Sequence, residues 1–302
     1  MITLTRVDEL RAWCEDARRA GRRVGLVPTM GFFHQGHRSL MRAARVANDA
    51  VVVTIFVSPL QFGPSEDLDA YPRDAQGDRA LAEAESVDVL FTPSVEEMYP
   101  RPALTTVHVA DLTDGLCGAS RPTHFDGVAT VVTKLFSIVG PSRAYFGRKD
   151  AQQLAVIHRM VDDLNLPVEV VGCPLVREPD GVAMSSRNAY LSGDQRVAAA
   201  VLVRALRQAA AAVSAGERDA EVVRRLVTAE VDAEPLATLD YAEVVDGRDL
   251  TPVERFEDGT EVLVALAARI GKTRLIDNAT ITVDGTRVCV DLGVEETQCG
   301  AR

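Results

Sequence analysis

The first half of the chain alternates short apolar runs with stretches of helical periodicity. Runs of β-branched and other apolar residues predict buried strands at 24–27, 51–57, 87–91, 143–146 and 168–171. Apolar residues spaced three and four apart predict helices between them, at 38–48, 73–85, 128–139 and 152–164. Alternating strands and helices are typical of a parallel sheet covered on both faces, so this half is predicted to be an α/β domain.

After about residue 190 the pattern changes. Helical periodicity at 195–215 and 217–233 is followed by strand-like runs at 239–245, 262–267 and 274–283. Consecutive helices followed by consecutive strands favour a separate α+β unit. We therefore expect two domains, residues 1–184 and a smaller one at 185–302, with a polar tail at 296–302.

Composition and charge narrow the classes of function. The chain has 302 residues, of which 47% are hydrophobic and 25% charged, as in soluble globular proteins. Its 44 Asp and Glu against 33 Lys and Arg give a net charge of −11, which repels nucleic acid backbones and anionic lipid. We expect neither nucleic acid nor membrane as a partner, although local fields still permit a small anionic ligand.

The cysteines and the N-terminus bear on the compartment. The five cysteines are widely spaced and form no Cys-x-x-Cys pair, which fits free thiols in a reducing environment. The N-terminal segment carries acidic residues early and lacks the apolar core of a signal peptide. No apolar run approaches the ~18 residues of a membrane span. The cytoplasm is the predicted location.

The most informative segment places two histidines after a predicted strand. His34 and His37 stand at the start of a predicted helix, with Gly36 between them. The carboxyl ends of parallel strands are where ligands bind, and a helix start offers N–H groups to phosphate. Two surface histidines or half of a zinc site are the alternatives, but zinc would need further ligands.

Three further segments follow predicted strands or precede helices. Gln61 can bond a polar substrate on two sides, although an ordinary turn explains segment 56–63 better when it is taken alone. Lys149 suits a phosphate but is equally a solvated lysine, and Gln153 lies one helical turn beyond it. Segment 183–188 offers two hydroxyls and Arg187, as a phosphate clamp or a common polar loop. The four segments together favour a phosphate-binding site.

Together these segments resemble the pantothenate synthetase (pantoate–β-alanine ligase) family. His34-Gln35-Gly36-His37 is similar to the His-x-Gly-His signature of the nucleotidyltransferase superfamily, and Met184-Ser185-Ser186-Arg187 to its second, mobile signature loop. Further motifs in the family's order extend the resemblance over nearly the whole chain: Pro28-Thr29-Met30-Gly31, Gln61-Phe62-Gly63, Glu66-Asp67-Leu68-Asp69, Tyr71-Pro72-Arg73, Lys149-Asp150 and Thr273-Arg274-Leu275-Ile276-Asp277-Asn278.

The resemblance implies a fold and a reaction. Each chain would have a Rossmann-like N-terminal domain, which binds ATP and pantoate, and a small C-terminal lid. Two such chains would form a homodimer. The carboxylate of (R)-pantoate attacks the α-phosphorus of Mg·ATP, giving pantoyl adenylate and pyrophosphate. The amine of β-alanine then attacks the acyl carbon, giving pantothenate and AMP. Mg²⁺ is implied as bound mainly through the phosphates of ATP.

The resemblance also implies roles for individual residues. His34, His37 and Lys149 would act on the phosphates, with His37 as the usual proton donor, and Gln61 and Gln153 would hold pantoate. The residues implied to contact ATP are Met30, Gly31, Phe32, Phe33, His34, Gln35, Gly36, His37, Gly147, Arg148, Lys149, Asp150, Val176, Met184, Ser185, Ser186 and Arg187.

The chain departs from the family pattern at two positions. Ser58 stands where the family usually has Asn, which implies weaker pantoate binding. Thr123 stands where it usually has Gly, in a loop where threonine adopts a positive φ only at a cost. Two other functions remain open: a nucleotidylyltransferase that makes a dinucleotide from another small substrate, and a non-catalytic nucleotide-binding protein. Length and charge disfavour a tRNA synthetase.

Overall fold

The computed structural model describes residues 1–63 and 68–295, which form two compact units. Glu66 and Asp67 of the predicted motif, Cys299 and the tail 296–302 lie outside the described residues. The assignment of residues 1–184 and 185–302 to functional domains stays a prediction. The compact units themselves are as follows: the first comprises Met1–Asp114, Arg121–Arg148 and Val156–Cys173, and the second comprises Gly115–Ser120, Lys149–Ala155 and the chain from Pro174.

Up to residue 173 the chain alternates strands with helices, as the hydrophobic pattern predicts. The strands are β1 (Ile2–Leu4), β2 (Val24–Thr29), β3 (Ala50–Ile55), β4 (Val89–Phe91), β5 (Ser142–Gly147) and β6 (Val168–Cys173). The helices are α1 (Val7–Arg19), α2 (Gln35–Ala47), α3 (Ala75–Ala84), α4 (Val95–Met98), α5 (Leu116–Ser120), α6 (His124–Val139) and α7 (Ala151–Asp163).

A parallel sheet of order β1-β4-β3-β2-β5-β6 forms the centre of the first unit. Both of its faces are covered. Val51 and Val53 of β3 pack in one apolar cluster with Met41 of α2, and Val52, which points to the opposite face, is equally buried. The first unit is therefore an α/β domain with a doubly covered parallel sheet, and that part of the predicted fold class is confirmed.

The second unit is an α+β assembly, as predicted. Helices pack on a four-stranded antiparallel sheet of order β11-β10-β9-β8, and a two-stranded parallel pair joins β7 to β12. The elements after residue 173 are β7 (Val176–Arg177), α8 (Gly193–Ala199), α9 (Val201–Ser214), α10 (Ala220–Asp232), β8 (Ala237–Asp246), β9 (Glu261–Ile270), β10 (Thr273–Asp284), β11 (Arg287–Asp291) and β12 (Val294–Glu295).

Local capping explains where the elements differ from the predicted ones. The helix predicted at 195–215 divides into α8 and α9 at Ala200, whose ψ of −9° tightens the turn. Helix α10 begins at Ala220 rather than 217 because the Asp219 side chain accepts from the N–H groups of Glu221 and Val222. Strand β11 has no counterpart among the predicted strands. It follows a tight turn at Gly285, whose φ is +58°.

One helical stretch, Gly193–Ser214, is long and apolar enough to cross a membrane, so the expectation that no run approaches that length is wrong here. It comprises α8 and α9, and 56% of its most apolar window is buried within the protein. Leu202, Leu206 and Val213 lie in the apolar cluster of the second unit. The core helix of a soluble protein gives the same signal.

Thr123 adopts the backbone conformation that its place in the family pattern predicts to be costly. It is the N-cap of α6, with φ +68° and ψ −7°, in the left-handed region. Its side chain makes no capping hydrogen bond. A β-branched residue in this region strains the backbone, and no capping bond offsets that strain.

We expect Thr123→Gly to stabilise the first unit by about 0.5–1 kcal/mol. Relief of left-handed strain is worth roughly 1–2 kcal/mol, and the added freedom of glycine in the unfolded chain removes about 0.4–1 kcal/mol of that gain. Urea unfolding followed by the fluorescence of Trp13, the single tryptophan, measures the change. Thr105→Gly, at an exposed position without positive φ, is the control and should destabilise slightly. An equal change in the free energy of unfolding in the two variants would show that the backbone at Thr123 is not strained.

Candidate active site

The direction in which the chain winds through the sheet reverses beside β2. Strand β2 pairs with β3 on one side and with β5 on the other, and the strands that follow β3 and β5 extend the sheet in opposite directions. Ligands in open α/β sheets bind beyond the carboxyl ends of strands at such a point. The predicted residues of the first unit follow these three strands: 30–37 follow β2, Gln61 follows β3, and Gly147 ends β5.

The two histidines cap helix α2. The N–H of Gly36 donates to Nδ1 of His34 at 3.1 Å, and the N–H of His34 donates to Nδ1 of His37 at 3.3 Å. This reciprocal capping satisfies N–H groups that a helix start leaves without partners. Helix α2 therefore begins at Gln35, three residues before the start predicted at residue 38.

The capping bonds also determine the tautomer of both histidines. Because Nδ1 accepts a hydrogen bond in each ring, the neutral imidazoles carry their proton on Nε2. The ring centroids of His34 and His37 are 4.1 Å apart, so a positive charge on both rings at once would be repulsive. Each neutral ring therefore carries its N–H at Nε2, which is the kind of group that phosphate oxygens accept.

Asp78, in α3, holds the loop between β2 and α2. Its carboxylate accepts from the N–H of Phe32 at 2.8 Å and from the N–H of Phe33 at 2.6 Å. Burial raises the pKa of this carboxyl, and the two backbone bonds partly oppose that rise. Gly31 has φ +85°, and a Cβ there would lie 2.9 Å from both Asp78 Oδ2 and Ile55 Cγ2. The loop conformation therefore depends on Asp78 and on the absence of a side chain at Gly31.

Gln61 ends a 3₁₀ turn, and its backbone is held by the start of α6. Its carbonyl accepts from Nδ1 of His124 at 2.8 Å and from Nη2 of Arg121 at 3.4 Å. Gly127 lets α6 approach this turn, because a Cβ there would lie 2.0 Å from the carbonyl oxygen of Leu60. The close approach and the two hydrogen bonds together fix the position of Gln61.

Ser58, the departure before this turn, has a structural partner. The residue is fully buried, and its hydroxyl lies 2.9 Å from that of Tyr99. Burial raises the pKa of Tyr99, so the phenol stays protonated at neutral pH. Weaker pantoate binding because of Ser58 stays a prediction, and a bulkier side chain here would have to displace Tyr99.

In the second unit, Lys149 and Asp150 lie in a 3₁₀ turn immediately before α7. The carbonyl of Lys149 accepts from Nδ2 of Asn278 at 2.9 Å. Of the two glutamines that follow, Gln152 is buried and bonds backbone groups of α5 and of the residue before it, whereas Gln153 is partly exposed. The structure therefore favours Gln153, the predicted residue, as the one that reaches a ligand.

The segment 184–187 is tied to β7. The N–H of Met184 donates to the carbonyl of Val176 at 2.9 Å, which brings two predicted ATP-contact residues together. The Ser185 hydroxyl accepts from the N–H of Arg187 at 3.3 Å and begins the next 3₁₀ turn. Asn188 donates to the carbonyl of Ala183 at 3.1 Å. The signature segment is thus an ordered turn with hydrogen bonds on both sides.

The predicted residues fall into two sets. Residues 30–37, Gln61, Gly147 and Arg148 belong to the first unit, whereas Lys149, Asp150, Gln153, Val176 and 184–187 belong to the second. Their contacts with substrates stay predictions.

Sequence reasoning missed three supporting residues. Asp78 stands in a helical pattern that gives no sign of its two loop bonds. His124 looks in the sequence like one of several scattered histidines, although it lies three residues after Arg121, which it contacts at 2.9 Å. Asn278 ends the motif 273–278, which indicates the family but no role. The motif at 273–278 is the signal for Asn278, and the family pattern around Thr123 is the signal for His124.

Comparison with known proteins identifies relatives over most of the chain. The sequence model of the pantoate–β-alanine ligase family matches residues 2–280. A pantothenate synthetase of Heliobacterium modesticaldum is 58% identical over 283 residues, which cover 94% of this chain and 100% of that protein.

Solved structures agree with the sequence relatives. A crystal structure of a pantoate–β-alanine ligase (pantothenate synthetase) from Thermus thermophilus is 49% identical and superposes with a TM-score of 0.86, covering 92% of this chain and 98% of that one. A pantoate–β-alanine ligase from Francisella tularensis, complexed with β-γ ATP and β-alanine, is 32% identical with a TM-score of 0.75, covering 92% and 97%. The predicted resemblance and fold class are confirmed.

We expect Asp78→Asn to loosen the loop between β2 and α2. An amide has one acceptor oxygen and turns a donor toward the second N–H, so one of the two loop bonds is lost, at a cost of about 1–3 kcal/mol in the free energy of unfolding. Hydrogen exchange at Phe32 and Phe33 should accelerate. Asp74→Asn, which alters the exposed N-cap of the same helix, should leave that exchange unchanged. Unchanged exchange in Asp78→Asn would show that another group holds the loop.

Proposed function

This chain belongs to the pantoate–β-alanine ligase family, and we propose that its catalytic groups are the histidines at the start of α2 and the lysine before α7. It joins pantoate to β-alanine in an ATP-dependent reaction. The observation that carries the site assignment is the pair of capped histidines beyond the carboxyl end of β2, beside the strand where the winding of the sheet reverses.

The two steps overcome a poor leaving group. A carboxylate resists attack by an amine because an oxide would have to leave. Attack of the pantoate carboxylate on the α-phosphorus of ATP releases pyrophosphate and leaves AMP attached to the acyl group. The amine of β-alanine then attacks the acyl carbon to form the amide bond, AMP departs with the electron pair of the broken acyl C–O bond, and the nitrogen gives its proton to water. Positioning and neutralisation of phosphate charge therefore supply most of the catalysis.

His34 and His37 suit the first step through their Nε2–H donors. In the proposed mechanism they donate hydrogen bonds to phosphate oxygens as negative charge moves toward the departing pyrophosphate, and His37, the family's usual proton donor, acts by hydrogen bonding with its proton retained. Lys149 adds a point charge on the phosphates. Neither histidine needs to change its tautomer when ATP arrives, because the capping bonds already fix it.

The remaining roles follow the predicted assignment. Gln61 and Gln153 hold pantoate by their amides, Asp150 contacts the ribose, and Val176 meets adenine through its backbone. Segment 184–187 closes over the nucleotide. The hydrogen bond between Met184 and Val176 supports this, because closure of the segment would be transmitted to the adenine contact.

We also propose that Mg²⁺ enters with ATP and that the enzyme is a cytoplasmic homodimer. Among residues 1–63 and 68–295 no group of three or more His, Cys, Asp or Glu side chains is placed to hold a metal ion, so the phosphates would supply most of its ligands. The cysteines in the described ranges form no disulfide with one another, which fits a reducing compartment. Dimerisation is carried over from the family resemblance.

The two-step reaction predicts a specific isotope exchange. Pantoate alone should support exchange of labelled pyrophosphate into ATP, because adenylation is reversible, and AMP release should require β-alanine. Quenched assays with each substrate omitted in turn separate the two steps. Exchange without pantoate, or transfer of the adenylyl group to a nucleotide, would indicate a dinucleotide-forming nucleotidylyltransferase instead.

Replacement of Lys149 tests its charge role. We expect Lys149→Ala to slow pantoate-dependent exchange by about 10²–10³, the usual cost of removing one donor to transition-state charge. Circular dichroism should show a folded protein. Lys272→Ala, at an exposed turn of the same unit, removes the same charge and is the control, with exchange expected near wild type. A Lys149→Ala enzyme within a few-fold of wild type would refute the assignment.

A further inference from the structure

Strand β10 of the second unit makes a direct hydrogen bond to the turn that carries Lys149. The Asn278 side chain donates from Nδ2 to the Lys149 carbonyl oxygen at 2.9 Å, across 129 residues of sequence. Asn278 is only 7% exposed, so this bond is shielded from competing water. The motif at 273–278 thus has a contact with the candidate site that its sequence does not reveal.

Asn278 is itself held from the opposite face of β10. Its N–H donates to Oδ1 of Asp277 at 2.8 Å, and Asp277 pairs through both oxygens with Arg177, at 2.7 and 2.9 Å. Both charged side chains are almost fully buried. Arg177 also donates to the carbonyls of Gly181, at 3.0 Å, and Leu292. A planar guanidinium bonded on several sides has one orientation, so Arg177 fixes the Asp277 side chain that accepts from Asn278.

The hydrogen-bonded side chains of Arg177, Asp277 and Asn278 connect two segments with proposed roles. Arg177 directly follows Val176, the proposed adenine contact, and its bond to Gly181 lies just before segment 184–187. Asn278 holds the turn that contains the proposed phosphate lysine. One set of side chains, Arg177, Asp277 and Asn278, therefore fixes both segments of the second unit against β10.

We propose that Asn278 is a positioning residue for adenylation, acting through Lys149. The inference rests on the proposed phosphate role of Lys149. Asn278 touches the backbone of Lys149, so it fixes the main chain from which the lysine side chain extends and adds no charge of its own. A displacement of about 1 Å at such a group can cost as much as 10²-fold in rate.

The expected effect is a loss of turnover with substrate affinity largely retained. We expect Asn278→Ala to lower kcat of pantoate-dependent exchange about tenfold, with KM for pantoate within twofold. Asn278→Asp keeps the size of the side chain but, when ionised, offers no donor to the carbonyl, so it should lose at least as much. Thr280→Ala, two residues along the same face of β10, is the control, with kcat expected near wild type.

A double-mutant cycle separates positioning from a general structural effect. In the Lys149→Ala background, Asn278→Ala should change kcat by less than twofold, because the group it positions is gone. If the tenfold loss persists there, or if Asn278→Asp matches wild type, the inference is wrong while the role of Lys149 stands. If Lys149→Ala alone is active, the proposed function of Lys149 fails and the inference fails with it. Thermal unfolding of each variant identifies any loss caused by unfolding.

Discussion

The reversal of winding between β2 and β5 is the constraint on which the candidate site depends. In a parallel sheet the neighbouring strands hydrogen-bond to one another, and the connecting loops lie at the two ends of the strands. Where neighbouring strands are followed by connections that lead to opposite sides, their carboxyl ends leave space that neither connection fills. The loop after β2 lies at this point, with Gln61 after the strand on one side and Gly147 at the end of the strand on the other.

That loop has to be held without regular secondary structure, and charged and aromatic side chains hold it. Asp78 accepts two consecutive N–H groups, and the imidazoles accept two more at the start of α2. The histidines therefore have a structural and a chemical role at once. Nδ1 completes the helix start, which directs the ring proton to Nε2, so the bond that stabilises the fold also prepares the donor. Replacing either ring would therefore alter the helix start together with the proposed chemistry.

Sequence alone could predict the alternation of strands and helices, the segment that contains His34 and His37, and the order of the motifs. These depend on periodicity and on residues adjacent in the chain, such as His34 and His37. It could not predict contacts such as Asp78 with Phe32 or Asn278 with Lys149, because these join residues 46 and 129 positions apart. Helix ends shift for a different, local reason: the two capping bonds of a side chain such as Asp219 outweigh the apolar period near a terminus.

The buried ion pair between Arg177 and Asp277 illustrates what such long-range contacts achieve. Removing two charges from water is costly, and an apolar pair of similar volume often stabilises a protein as well or better. An apolar pair, however, has no directional donors. Arg177 uses its donors on Asp277 and on the carbonyls of Gly181 and Leu292, and Asp277 in turn receives the N–H of Asn278. The pair therefore fixes the relative positions of three chain segments, which hydrophobic packing alone, being non-directional, would leave less defined.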